Sequence, residues 1–341
     1  MAQPLNVAVV GCNTLVGEAV LALLEEREFP LGTLHAVAPE GGGRVSFKGK
    51  QLKLQALADF DFGQSGLAFF CVDEAVSEEF APKAAAAGCL VIDDSPCFRI
   101  EEDVPLVVPE VNPEALADYT KQHIVANPGT NATLLTTVLK PLQRAAGIAR
   151  VNVVTLQAVS GKDKAGVEEL ARQATAMFNL KDMEHKVFPQ QIAFNVLPQI
   201  GALLDDGYSR EETKLAWEAA KILGQDERCF NVSCVRVPVF YGHAAAVHLE
   251  TERDLTPEQA REVLGGAPGV SLLPEGEAPS AVADAIGNDA VFVGRLRRDQ
   301  SHARGLDLWL VADNVRKGAA LNSVQIAEYL LQDYLAQREG G

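Results

Sequence analysis

LNVAVVGCNTLVGEAVLALL, residues 5–24, decides the fold. A run of β-type residues (5–10) leads into a glycine turn. Apolar residues then recur at helical spacing: Leu15, Val16, Ala19, Val20, Leu23 and Leu24. This is a βα unit, and Gly11 and Gly17 bracket a turn whose helix N-terminus is suited to a pyrophosphate, because unpaired N–H groups and the helix dipole favour anions there. Downstream, β-type runs at 67–72, 90–94, 106–108 and 124–126, with a helical pattern at 77–88, give the alternation that a parallel sheet requires. The expectation is an α/β chain whose first part is a Rossmann-like, doubly wound dinucleotide-binding domain.

The same turn departs from a dinucleotide fingerprint. It reads GCNTLVG, so Thr14 stands where GxxGxxG needs its middle glycine, and a side chain there narrows the approach of a phosphate. Gly11, Thr14, Leu15, Val16 and Gly17 are the candidate cofactor contacts. At the end of the second strand, HAVAPEGGGR (35–44) places Glu40 where it suits a ribose 2′-hydroxyl and repels a 2′-phosphate, a lean toward NAD that the nearby Arg44 leaves open.

A length of 341 residues favours two domains. The net charge of -16 disfavours nucleic acid. Apolar runs such as 15–24 fall short of a bilayer span, and the N-terminal pattern lacks a basic leader, so a cytoplasmic protein is expected. The six cysteines show no CxxC spacing, so neither a disulfide framework nor a metal site is indicated. After NPGTN (127–131) the pattern shifts to a helix at 132–146, a β-run at 149–159, a helix at 164–178 and strands at 232–240 and 245–249. The stretch 265–280 reads as a loop. Residues 317–337 read as one amphipathic helix that packs back on the first domain. The domains are therefore expected at 1–127 with 316–341, and at 128–315.

Six ordered segments, DDSPCFRIEEDVPLVVPEVN (93–112), TLQAVSGKDKAGVEEL (155–170), FPQQIAFNVLPQIG (188–201), EETK (211–214), CVRVPVFYGHAAAVH (234–248) and the stretch from GRLRRDQ to AEYL (294–330), resemble the aspartate-semialdehyde dehydrogenase family. With the βα unit they cover roughly nine tenths of the chain. The resemblance implies an α+β dimerisation and catalytic second domain, NADP as cofactor, a homodimer, and the reductive dephosphorylation of aspartyl phosphate in amino-acid biosynthesis. In that family a cysteine thiolate adds to the aldehyde, hydride leaves for NADP, and phosphate displaces the acyl group.

The family's nucleophile lies in NPNC; this chain reads NPGTNATLLTTVLKPL (127–142), so Thr130 holds the cysteine's place. Gln157, twenty-seven residues on, falls at the family glutamine and confirms the register. By the same resemblance His243 matches the general acid/base, Arg236 the residue gripping the substrate carboxylate, Glu211 and Lys214 an amine and a phosphate contact, and Arg99 a second phosphate ligand. Ser160, Gly161 and Asn314 complete the candidate cofactor contacts. Asp163 stands where the family loop has glycine.

A hydroxyl is far less acidic than a thiol, and its ester resists phosphate. The expectation is thus a catalytically deficient, Usg-type paralogue: an oxidoreductase by family, acting on a small-molecule ligand, with NADP, NAD or no cofactor as alternatives and no metal. The competing readings are an enzyme with altered acid/base chemistry, using His243, Arg236, Lys214 and Arg99 on a small carboxylate or acyl phosphate, and a ligand-binding or assembly pseudoenzyme that forms a homodimer or a mixed dimer with the true dehydrogenase. Separately, Cys97, two residues from Arg99, is a candidate substitute for the missing nucleophile.

Overall fold

A computed structural model describes residues 4–335. The chain forms two compact units, one running from the N-terminus to Gly129 and resuming at Ala319, the other Thr130–Gly318. The boundaries read from sequence lie two and three residues before these.

In the first unit β1 (Leu5–Val10), α1 (Leu15–Glu26), β2 (Leu31–Ala38), β3 (Arg44–Phe47), β4 (Lys50–Lys53), β5 (Gln55–Ala56), β6 (Leu67–Phe70), α2 (Glu74–Ala86), β7 (Leu90–Asp93) and β8 (Ile124–Ala126) follow one another. Six strands form one parallel sheet in the order β5-β2-β1-β6-β7-β8, and β3 pairs with β4 in a separate hairpin. The order reverses at β1 and β6, so the carboxyl ends of these two strands form the crevice where such sheets bind ligands. Central strands covered on both faces need continuous apolar runs, and Val7–Val10 and Leu67–Phe70 are fully or almost fully buried. Residues 106–108 form only an isolated bridge from Leu106 to Ala126, because their backbone bends into a turn held by Asn112: its Oδ1 accepts from Val108 N and its Nδ2 donates to the Leu106 carbonyl.

The second unit contains α3 (Thr130–Ala146), β9 (Arg150–Gln157), α4 (Asp163–Phe178), α5 (Arg210–Leu223), β10 (Phe230–Arg236), β11 (His243–Glu250), α6 (Pro257–Gly265), β12 (Val270–Leu272), β13 (Val291–Arg298) and β14 (Gly305–Ala312). These strands make a mixed sheet, β10-β9-β11-β14-β13-β12. Period-2 burial places Val151, Val153, Thr155 and Gln157 of β9 on the covered face, with Val232, Cys234 and Arg236 of β10 beside them. The stretch 265–280 is not all loop: β12 lies within it and pairs in parallel with β13.

The closing segment returns to the first unit as α7 (Asn322–Tyr329), flanked by π-helical turns at Arg316–Leu321 and Leu330–Leu335. The single regular helix read from 317–337 is therefore interrupted, and its last two residues lie outside the described ones. Its apolar stripe, including Leu321, Val324 and Leu330, joins Val20, Leu23 and Leu24 of α1 in one core, which is why it is helical despite the irregular turns.

Candidate functional site

In the first unit the glycine turn is formed as the sequence demands. Gly11 has φ +79, and a Cβ there would lie 2.3 Å from the Cys71 carbonyl oxygen; at Gly17 it would lie 2.1 Å from the Gly11 oxygen. Both positions require glycine. Between them Thr14 is the N-cap of α1. Its hydroxyl oxygen accepts from Gly17 N at 3.0 Å, and it lies 2.9 Å from the Gly11 carbonyl and 3.2 Å from the Cys71 carbonyl, to either of which it can donate. Gly11 follows β1 and Cys71 follows β6, so Thr14 ties the two sides of the crevice together and satisfies a helix N-terminal N–H that an anion would use. Leu15 and Val16 form the first turn behind it. Glu40 is exposed beyond β2, and Arg44 opens β3.

Arg99 is buried in the same unit, where its Nη2 donates to the Asp94 carbonyl at 2.7 Å. Cys97, two residues before it, lines an open cleft with Glu74, Glu78 and Glu101. Burial and the carboxylates around it, Asp93 first, push its thiol up to about 11. A protonated thiol among carboxylates is a poor nucleophile.

The second unit gathers most of the other candidates. Thr130 opens α3; its Oγ1 donates to the Asn314 carbonyl at 3.2 Å, and a Cβ at Gly318 would meet its Cγ2 at 2.3 Å. The threonine methyl therefore fits only because residue 318 is glycine. Asp313 holds the turn that offers this carbonyl: its carboxylate accepts from Val315 N, Arg316 N and Gly287 N. The Asn314 side chain is committed as well, exchanging hydrogen bonds with the Ser160 hydroxyl and accepting from Gly242 N at 2.8 Å.

Gln157 ends β9 and donates to Thr155 Oγ1 and to Glu211 Oε1, each at 3.3 Å. On α5 Glu211 pairs with Lys214 at 2.6 Å. Burial raises the Glu211 pKa, but Lys214, Gln157 and Arg236 outweigh it, and the carboxyl sits below its ordinary value. Arg236, at the end of β10, is buried, and its Nη1 donates to the Ala158 carbonyl at 2.6 Å. Burial lowers its pKa to about 10. Gly161 is required here, since a Cβ would lie 2.6 Å from that guanidinium. His243 begins β11, and its Nδ1 accepts from Ala158 N at 3.1 Å. Burial, reinforced by Arg236, holds its pKa well below 6.5. His243 lines a small cavity with Asn131, Thr155 and Leu215.

Several residues of this site carried no signal in the sequence. Ala158 acts through its main chain, which no residue type reveals. Cys234 is fully buried, its N–H donates to Glu212 Oε1, and burial pushes its thiol to about 12. Asp163 has φ 54 and ψ −160, a backbone region that is essentially glycine's, which accounts physically for glycine being the fitting residue there.

Residues 6–119 match the semialdehyde dehydrogenase NAD binding domain, and residues 139–317 the semialdehyde dehydrogenase dimerisation domain. The chain belongs to the aspartate-semialdehyde dehydrogenase family. It is 49% identical to the aspartate-semialdehyde dehydrogenase of Shewanella violacea over 98% of this chain and 100% of that protein. The Legionella pneumophila enzyme is 48% identical, with 98% of each chain covered. Aspartate semialdehyde dehydrogenase II of Vibrio cholerae, in a crystal structure described as complexed with ASA, superposes with a TM-score of 0.96 at 47% identity, covering 98% of this chain and 100% of that one. The Rossmann-like domain and the dimerisation domain thus match in both sequence and fold. Among the described residues no helix is long and apolar enough to cross a membrane.

Proposed function

We propose that this chain is a Usg-type member of the family, a ligand-binding pseudoenzyme that holds a small amino-acid-like carboxylate in its second unit but does not carry out thioester dehydrogenase chemistry. The observation that carries this reading is the state of Thr130. Its hydroxyl donates to the Asn314 carbonyl and its methyl is fitted against Gly318, so the position is filled by a group that is neither acidic nor aimed at a base. Neither Cys234 nor Cys97 offers a replacement. Cys234 is sealed and protonated, and Cys97 belongs to a cleft of the first unit.

Arg236 and Lys214 both lie close to Glu211, and an anionic ligand would engage these two cations; the Vibrio cholerae relative is described with ASA. Dinucleotide binding is expected to be poor. The turn keeps its shape, but Thr14 occupies the crevice and already satisfies Gly17 N, so the residues present do not fit a tightly held pyrophosphate, and no step of this reading runs through NADP or NAD.

A homodimer through the second unit is part of the proposal, with a mixed dimer as its variant. Phe178, Leu180, Phe194 and Leu203 are large, exposed apolar residues on α4 and the segment after it, the pattern of a surface that another protein covers. We place the protein in the cytoplasm from its composition and its biosynthetic relatives.

The test is to compare the unaltered chain with Thr130→Cys for phosphate-dependent NADP reduction with aspartate semialdehyde. Loss of a nucleophile of this kind costs on the order of 10⁴ to 10⁶ in rate. The variant is expected to gain only a small part of that factor, because Thr14 still opposes tight dinucleotide binding. Equal, ordinary rates in both would refute the reading.

A further inference from the structure

We propose that His243 is held by the Ala158 main chain as the Nε2–H tautomer, so that it offers the pocket a hydrogen-bond donor for a ligand oxygen and does not act as a base. This inference rests on the reading of the chain as a binding protein without thiol chemistry.

A neutral imidazole carries one ring proton, and a ring nitrogen that accepts a hydrogen bond cannot be the one bearing it. Nδ1 accepts from Ala158 N at 3.1 Å, so the proton is on Nε2. The peptide that carries Ala158 N cannot turn away to release Nδ1, because its own carbonyl, that of Gln157, accepts from Val237 N at 3.0 Å. The following peptide is held too: the Ala158 carbonyl is gripped by Arg236 Nη1 at 2.6 Å, Val159 N donates to the Val239 carbonyl and Ser160 N to the Phe240 carbonyl. A single residue therefore sets both side chains: the Ala158 N–H fixes the histidine tautomer and the Ala158 carbonyl fixes the arginine.

The imidazolium form is opposed on two counts. It would set an Nδ1–H against the Ala158 N–H, and it would place a second charge in a dry site beside the Arg236 guanidinium. His243 is 3% exposed and lines the cavity next to Asn131 and Thr155. Ala158 N is the ring's one hydrogen-bond partner among the described residues, which leaves Nε2–H for whatever enters. Its complement is an acceptor, a carbonyl or carboxylate oxygen, and Arg236 beside it favours a negative one. To deprotonate a hydroxyl or thiol the ring would need a vacant lone pair, and its only lone pair is engaged.

The decisive experiment is long-range ¹H–¹⁵N NMR on the full chain labelled at histidine, with the His243 signals assigned from His243→Gln. The expected result is a protonated Nε2 and a pyridine-like Nδ1 that stay unchanged between about pH 5 and 8. A protonated Nδ1, or titration to imidazolium in that window, would overturn the proposal. A second readout uses Thr130→Cys. Its alkylation rate by iodoacetamide should follow an ordinary thiol, rising toward about pH 8.5, and adding His243→Gln should change it less than about twofold. A reactive thiolate plateau below neutral pH that His243→Gln abolishes would also overturn it. Turnover of aspartate semialdehyde by the unaltered chain would refute the binding-protein reading and would leave the tautomer measurement standing on its own.

Discussion

Thr14 and Thr130 occupy parallel positions in the two units. Each stands at the start of a helix that follows a buried strand, and each stands where the family resemblance leads one to expect another residue, glycine at 14 and cysteine at 130. They are accommodated differently. Thr14 is a helix cap, accepting from Gly17 N and bridging the carbonyls of Gly11 and Cys71 across the crevice of the parallel sheet. Thr130 caps nothing; it is received by a shaped slot, with the Asn314 carbonyl for its hydroxyl and the bare Cα of Gly318 for its methyl. On the proposed reading, the substitution in the first unit strengthens local structure while closing a binding crevice, and the one in the second removes the reactive atom while leaving the charged residues in place. A fold tolerates such changes because threonine satisfies its own polar group locally at a helix start, so lost chemistry need not mean lost stability.

If the second unit is the better preserved of the two, its lining must carry stability as well as charge. Arg236→Ala strips the Ala158 carbonyl of its donor and removes a buried cation near Glu211; the expected loss is about 2–3 kcal/mol in urea unfolding. An unchanged midpoint would mean that Arg236 is no strut. Asp163→Gly tests a departure that the fold does not accommodate for free. With φ 54 and ψ −160, relief of strain should raise stability by about 1–2 kcal/mol, and a loss would show that the aspartate side chain compensates fully.

Protons sharpen the contrast further. The His243 pKa is depressed in the folded chain, so below about pH 6.5 the unfolded state binds a proton that the native ring refuses. Stability should therefore fall with pH in that range, by about 1.4 kcal/mol per pH unit from this residue, and His243→Gln should flatten the slope. Glu211, whose folded pKa is also lowered, adds stability that is complete above the ordinary carboxylate range and is lost only in stronger acid, so the two windows are separable. The smallest effect belongs to the first unit. Thr14→Gly should cost only a few tenths of a kcal/mol as a cap, yet improve dinucleotide binding measured by fluorescence or calorimetry; no gain would show that Thr14 is not what closes the crevice.

Much of this was legible in the sequence because it depends on periodicity or on glycine. The βα unit and the position of the closing segment followed from residues 5–24 and 317–337. The strand read at 106–108 failed because Asn112, a side chain from the next turn, takes over that backbone's hydrogen bonding. β12 escaped detection because its three residues pair only with a distant strand, β13. In the site, the charged residues could be named in advance, but what holds them could not. The Ala158 peptide, the Asn314 carbonyl and the space over Gly318 are main-chain features, and side-chain identity does not encode them.

The most direct measurement is the initial rate of NADP reduction by the unaltered chain with aspartate semialdehyde and phosphate, run beside an active family member. This account predicts a rate lower by on the order of 10⁴ or more, with no phosphate dependence. A phosphate-dependent rate comparable to that of the active relative would contradict it.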